Sequence, residues 1–296
     1  GAARPTLLGH AAHITSLAFS ADKANLVSGS ADKTARVWNL ADPKFPELAN
    51  FAGHDAAVTA VAFSADGQQV FSGAADNSIK QWQVADAVEI RALAGHTGAI
   101  SDLAVVGTVL LSGSADQSAK TWNTATGAVV KSLAHGAAVS TVALSPDGKL
   151  IATGGAAKTV KLWSAADGAA VATLSGHAGA IQSVAFDAGS QRVASCAEDG
   201  IRIWDDGGLL LEQFGAAAAA PAKVAFEASG DAVLHLDATH NLHATPINLV
   251  STIASEAGAI TGLDYSPDGT TLFSGGADKV VRQWTVEPGQ PVKTFP

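Results

Sequence analysis

The chain has 296 residues, 47% of them hydrophobic and 15% charged, with a formal net charge of −9 at pH 7. That composition is globular, and its acidic balance weighs against nucleic acid as a partner. A single cysteine, Cys196, excludes an internal disulfide, no apolar run approaches the roughly 20 residues of a membrane span, and the start has no signal-peptide pattern. With no methionine at all, the chain is expected to be a processed product or an excerpt of a longer one.

In chain order, the opening GAARPTLLGH matches the turn and fourth strand of a repeat unit whose front is elsewhere, as comparison with GAVVKSLAH at 127–135 shows. A unit then runs from Gly9-His10 to Trp38, and its landmarks recur: Gly53-His54 to Trp82, Gly95-His96 to Trp122, His135 to Trp163, Gly176-His177 to Trp204. These tryptophans are 44, 40, 41 and 41 residues apart, while Trp204 and Trp284 are 80 apart, so a further copy places its tryptophan position near Thr245. Six tryptophans therefore report seven repeats. A period of this size marks a propeller or a solenoid. Within the second unit, Val58–Ser64, Gln69–Gly73 and Ser78–Trp82 are β-branched or aromatic-containing runs parted by Asp66-Gly67 and Asp76-Asn77, and Glu89–Leu93 follows as a fourth. Such a four-stranded antiparallel meander cannot bury both faces by itself and needs neighbours on each side. The first unit has a longer turn at Asp42–Pro46, and the third is shortened at Val106-Gly107. The sixth, from the alanine run 216–220 to Ile253, keeps the strand rhythm but has Thr245, His235 and Thr239 at the Trp, Ser and Asp positions.

On Gly-His, then Ser28-Gly29-Ser30-Ala31-Asp32, then Trp38, repeated along essentially the whole length, the chain resembles the WD-repeat β-propellers. The resemblance implies an all-β fold, a seven-bladed β-propeller of four-stranded antiparallel blades. Its blades fall near 10–51, 54–93, 96–133, 135–174, 177–214, 216–253 and 256–295 of one domain, 1–296. It also implies that residues 1–9 close the ring. Thr6–Leu8 and Val292–Phe295 compete for the outer place in the last blade, and the reading leans to the former.

The resemblance further implies a buried hydrogen-bond network in each blade. Its members are His10, Ser28, Asp32 and Trp38; His54, Ser72, Asp76 and Trp82; His96, Ser112, Asp116 and Trp122; and His177, Ser195, Asp199 and Trp204. Two sets are incomplete: His135, Thr153 and Trp163 have Ala157 in the Asp place, and Ser274, Asp278 and Trp284 have Glu256 in the His place. Family members recruit partners through rim positions near the His and before the turn Asp. Here these offer mainly Ala, Ser and Thr, with His13, Thr15, Thr59, Ser101, Ser140, Gln182 and Glu198 as the candidate contacts.

Other site readings are weaker. His235, His240 and His243 cluster in the sixth unit but lack the supporting spacing of a metal site. Arg36, Lys80, Lys120, Lys161, Arg202 and Arg282 each stand two before a Trp, where a basic stem covers apolar surface. There is no phosphate loop, haem attachment, His-Glu-x-x-His or Gly-x-Ser-x-Gly, and Ser, His and Asp recur with every unit, whereas a catalytic triad is made once. The expectation is a protein without enzymatic activity or cofactor that binds a protein or peptide partner as a scaffold. The alternatives are a spacer module of a longer chain and, remotely, a metal- or ligand-binding propeller. Neither nucleic-acid binding nor membrane insertion is expected, and the molecule is read as a monomeric ring or part of a larger chain.

Overall fold

The computed structural model describes residues 7–215, 220–237, 242–247, 260–265, 271–276, 281–285 and 291–295, the last four segments as backbone only. The described residues are all-β and form seven antiparallel sheets. The first holds β1 (Ile14–Phe19), β2 (Asn25–Ser30), β3 (Thr34–Asn39) and β4 (Glu47–Ala52); the second, β5 (Val58–Phe63), β6 (Gln69–Ala74), β7 (Ile79–Gln83) and β8 (Glu89–Leu93). The third holds β9 (Ile100–Val106), β10 (Val109–Ser114), β11 (Ser118–Asn123) and β12 (Val129–Ala134); the fourth, β13 (Val139–Leu144), β14 (Leu150–Gly155), β15 (Val160–Ser164) and β16 (Ala170–Leu174). The fifth is β17 (Ser183–Phe186), β18 (Arg192–Ala197), β19 (Gly200–Asp205) and β20 (Leu210–Gly215), and the sixth β21 (Pro221–Phe226), β22 (Ala232–Asp237) and β23 (Leu242–Pro246). The expected fourth strand of the sixth sheet falls in 248–253, outside the described residues.

The chain divides into two compact units, Gly1–Thr245 and Pro246–Pro296. In the second, β24 (Ile260–Tyr265), β25 (Thr271–Gly276), β26 (Val281–Thr285) and β27 (Pro291–Phe295) pair in order. Their backbone register repeats that of the first sheet: Leu272 faces Trp284 as Leu26 faces Trp38. The outer place of this sheet, for which the sequence favoured the opening segment, is filled by β27. Residues 7–9 are not in a strand, and 1–6 lie outside the described residues.

In the first unit the cores lie between consecutive sheets. Val27, Val37 and Phe51 of the first sheet pack with Val58, Val61, Phe63 and Trp82 of the second, and Phe71, Ile79 and Leu93 of the second with Ile100, Leu103 and Trp122 of the third. The same pattern joins the third sheet to the fourth through Trp163 and the fourth to the fifth through Trp204. Trp82, Trp122, Trp163 and Trp204 thus seat their indoles against the preceding sheet, the solution a one-sheet repeat requires to bury its faces. This explains the Gly before His in the second and third sheets. A Cβ added to Gly53 would lie 2.5 Å from the edge of the Trp82 indole. The shortened third unit closes β9 to β10 with Gly107 at φ +57°, a left-handed conformation suited to a tight hairpin.

Every six- or seven-residue first strand from β1 to β13 carries a bulge near its start. The pairing skips Thr15, Thr59, Ser101 and Ser140 in turn. A bulge leaves one residue unpaired and re-aims its side chain, and these four belong to the rim positions singled out from the sequence.

Candidate functional site

Each complete network is built by three elements: the loop before the first strand brings the His, the second strand the Ser, and the turn before the third strand the Asp. In the second sheet the Trp82 indole N–H donates to Ser72 Oγ at 2.7 Å, His54 Nε2 lies 2.7 Å from the same hydroxyl, and His54 Nδ1 lies 3.0 Å from Asp76 Oδ2. The corresponding distances are 2.8, 2.7 and 2.8 Å for Trp38, Ser28, His10 and Asp32, and 2.8, 2.7 and 2.7 Å for Trp122, Ser112, His96 and Asp116. For Trp204, Ser195, His177 and Asp199 they are 2.9, 2.8 and 2.6 Å.

The directions follow from the chemistry of the groups. An ionised carboxylate only accepts, so Nδ1 carries the hydrogen; Nε2 then accepts from the serine hydroxyl, which itself accepts from the indole. Burial lowers the pKa of His54, His96 and His177 below the ordinary imidazole value, against the raising effect of their carboxylates, which keeps the rings neutral. Burial alone would raise Asp76 and Asp116, but hydrogen bonds outweigh it. Those from the side chain and N–H of Ser78, Asp55 N–H and His54 hold Asp76 at about 2, and those from Ser118, His96 and Thr97 N–H hold Asp116 at about 2.

This connectivity is that of a Ser-His-Asp triad, and its setting argues against that use. Ser28, Ser72, Ser112 and Ser195 are buried, and each hydroxyl already receives an indole N–H. A catalytic serine must reach substrate beside donors that stabilise an oxyanion. What the arrangement does is satisfy buried polar groups. Each bond is worth roughly 1 kcal/mol net, but an orphaned partner costs about 1–3 kcal/mol.

The fourth sheet departs from this pattern. Trp163 N–H donates to Thr153 Oγ1 at 2.9 Å, but it is His135 Nδ1 that lies 2.9 Å from that hydroxyl, and Nε2 is buried without a partner. Burial, with Lys161 adding to it, pushes the His135 pKa down to about 4. Asp278 and Glu256 lie outside the described residues. In the sixth sheet His235 and His243 stack with ring centroids 5.0 Å apart, and His235 Nε2 lies 3.1 Å from Thr245 Oγ1; His240 is outside the described residues. Among the described residues no group of three or more His, Cys, Asp or Glu side chains is placed to hold a metal.

The rim candidates divide. Thr15 Oγ1 donates to Val58 O at 2.6 Å, Thr59 Oγ1 to Ile100 O at 2.5 Å, Ser101 Oγ to Val139 O at 2.6 Å and Ser140 Oγ to Ile181 O at 2.5 Å. Each bulged hydroxyl therefore fastens its sheet to the next. His13, Gln182 and Glu198 are exposed. In three of the four sheets the residue after the bulge, which the sequence reading passed over, makes a second inter-sheet link; in the second sheet that residue is Ala60. Ser16 Oγ, Asp102 Oδ2 and Thr141 Oγ1 accept the N–H of Val61 at 3.2 Å, Val142 at 2.9 Å and Val184 at 3.2 Å. A polar residue six after the His is the signal for it. Asp102 also borders a cavity of about 820 Å³ with Ser16, Thr59, Ser101 and Lys223. Burial raises its pKa, while Lys223 and the backbone N–H groups work the other way.

Four of the cations two before Trp are also engaged. Arg36 pairs with Glu47 at 2.5 Å, Lys80 with Glu89 at 2.7 Å and Arg202 with Asp199 at 3.2 Å, and Lys120 donates to Ser132 at 2.9 Å. No helix among the described residues is long and apolar enough to cross a membrane.

A family sequence model described as WD domain, G-beta repeat matches residues 2–39, 45–83, 87–123, 127–164, 168–205 and 247–285. A comparison with curated proteins gives no match.

Proposed function

This chain belongs to the WD domain, G-beta repeat family, and on that footing we propose that it is a non-catalytic platform for protein–protein interaction. Repeats of this family generally mediate such interaction or scaffolding. The observation that carries the non-catalytic part is the burial of Ser28, Ser72, Ser112 and Ser195 beneath their own indole donors. A fluorophosphonate probe followed by intact mass measurement tests it: no adduct is expected on the folded protein, and an adduct on any of these serines overturns the reading.

The partner surface lies on the outer strands. There one exposed aliphatic side chain recurs just after the residue that faces the tryptophan: Leu48, Ile90, Val130 and Val171. An outer strand is paired on one side only, so such a side chain sits beside free backbone donors and acceptors, the combination that strand addition uses. Val130→Glu with Val171→Glu should abolish cross-linking to a partner in the native source, while Gln182→Glu leaves it intact; the reverse result refutes this surface. The spacer reading is favoured by the rim hydroxyls, which are turned to neighbouring sheets. It gains if neither variant nor wild type cross-links to anything. We take the seven sheets as the blades of one domain spanning 1–296. Limited proteolysis leaving a single protected product of that length supports this, and release of a stable 1–245 fragment counts against it.

A further inference from the structure

The turn carboxylates of the first three sheets all receive the same set of donors. Asp32 takes His10 Nδ1, the N–H of Ala11, and both the N–H and hydroxyl of Thr34. Asp76 takes the equivalent groups of His54, Asp55 and Ser78, and Asp116 those of His96, Thr97 and Ser118. In the fourth sheet the carboxylate is gone, because residue 157 is alanine, and the N–H of Gly136, the equivalent of Ala11, goes to Gln117 O instead, which leaves the donors of residue 159 and of His135. By sequence position Thr159 corresponds to Thr34, two after the turn residue, and brings an N–H and a hydroxyl.

His135 is also reversed. Thr153 Oγ1 accepts the Trp163 indole, and its own hydrogen has two acceptors in reach, His135 Nδ1 at 2.9 Å and Lys161 O at 3.4 Å; donation along the shorter contact puts the ring hydrogen on Nε2. That N–H is buried with no acceptor. His135 itself is 2% exposed. The local charge is positive: Lys158 is exposed with its ammonium 2.7 Å from Ala178 O, and Lys161 is near enough to help depress protonation of His135. Ala156 and Lys158, on either side of Ala157, are exposed, so this corner lies at the surface.

We propose that this corner of the fourth sheet is a carboxylate-binding site. A carboxylate from outside the chain accepts from His135 Nε2–H and from the N–H and hydroxyl of Thr159, in the place that Asp32, Asp76 and Asp116 fill from within. Charge-assisted bonds from neutral donors to a carboxylate are roughly twice as strong as neutral pairs, and the buried imidazole N–H gains the acceptor it lacks. The ligand is either a free small carboxylate or an acidic side chain of a protein. The site rests on the chain's own hydrogen bonding and holds whether or not the platform reading does.

The test is a long-range 1H–15N imidazole correlation on histidine-labelled protein titrated with sodium formate, with sodium chloride at equal ionic strength as control. A saturable shift of His135 Nε2 with formate and none with chloride is expected, with a dissociation constant on the order of 10 mM for so few contacts. In Ala157→Asp the internal carboxylate should occupy the place and remove the response, and Thr159→Val should weaken it several-fold. Unchanged signals of His54, His96 and His177 report that each variant is folded. A parallel titration with acetyl-aspartyl amide separates the sources: tighter binding than formate assigns an acidic side chain, and binding of formate alone a free small carboxylate. No saturable response in the wild type, or the same response in Ala157→Asp, overturns the proposal.

Discussion

Ser72→Ala isolates what one network contributes. Ser72 is fully buried, its Oγ 2.7 Å from both the Trp82 indole nitrogen and His54 Nε2. Removing that oxygen leaves an indole N–H without an acceptor and an imidazole nitrogen without a donor. At about 1–3 kcal/mol for each of the two orphaned groups, the loss is about 2–6 kcal/mol. Ser72→Thr keeps a hydroxyl, as Thr153 does in the fourth sheet, and should recover most of that loss. Trp82→Phe deletes the donor, so in that background Ser72→Ala should cost less, with a coupling of about 1–2 kcal/mol in the double-mutant cycle. Urea unfolding at pH 7 followed by far-ultraviolet circular dichroism measures all four proteins without depending on the deleted indole. A loss below about 0.5 kcal/mol for Ser72→Ala, the level of an ordinary surface substitution, or strict additivity in the cycle, would refute the reasoning.

Thr59→Val removes the hydroxyl bond to Ile100 O and should cost about 1 kcal/mol in the same urea assay, whereas Gln182→Ala should leave the midpoint unchanged. His135, with its pKa near 4 in the fold against an ordinary value near 6.5, stays neutral while the unfolded chain takes up a proton. Its contribution is therefore complete above pH 6.5 and lost as pH falls to about 4, on the order of 3 kcal/mol in all. Ala157→Asp should flatten that part of the stability–pH curve. Asp76 and Asp116, held at about 2, act in a lower window: their contribution is present above the ordinary carboxylate value and is lost as pH falls toward 2. Cys196 is buried and its thiol is pushed up to about 12 by that burial, so iodoacetamide should label it only after unfolding, and labelling of the native protein at the rate of a free thiol would contradict its placement.

Much of the fold was legible because its signals are local and repeated. The tryptophan spacing gave the period, the Asp-Gly and Asp-Asn pairs the turns, and Glu89–Leu93 coincides with β8. The inter-sheet bonds of the rim were not legible for a physical reason: Thr15, Thr59, Ser101 and Ser140 sit in bulges, and the skip in pairing that turns their hydroxyls to the next sheet leaves no mark in composition or alternation. Asp102 was invisible within ISDLAVV because its partner, the N–H of Val142, belongs to a different repeat. Ala157 was seen to break the fourth network, but the reversed ring of His135 was not. It depends on which nitrogen meets Thr153 once the Gly before the His is missing and the carboxylate is gone.

The central claim is that the Ser-His-Asp sets are cross-links with a buried, neutral imidazole whose hydrogen position is dictated by the ionised turn carboxylate. The imidazole tautomers at pH 7, read from two-bond 1H–15N couplings, test it most directly. The account predicts the hydrogen on Nδ1 in His54, His96 and His177, each facing an aspartate, and on Nε2 in His135, which faces none. A charged ring at any of the first three, or the same tautomer at His135 as at the others, would contradict it.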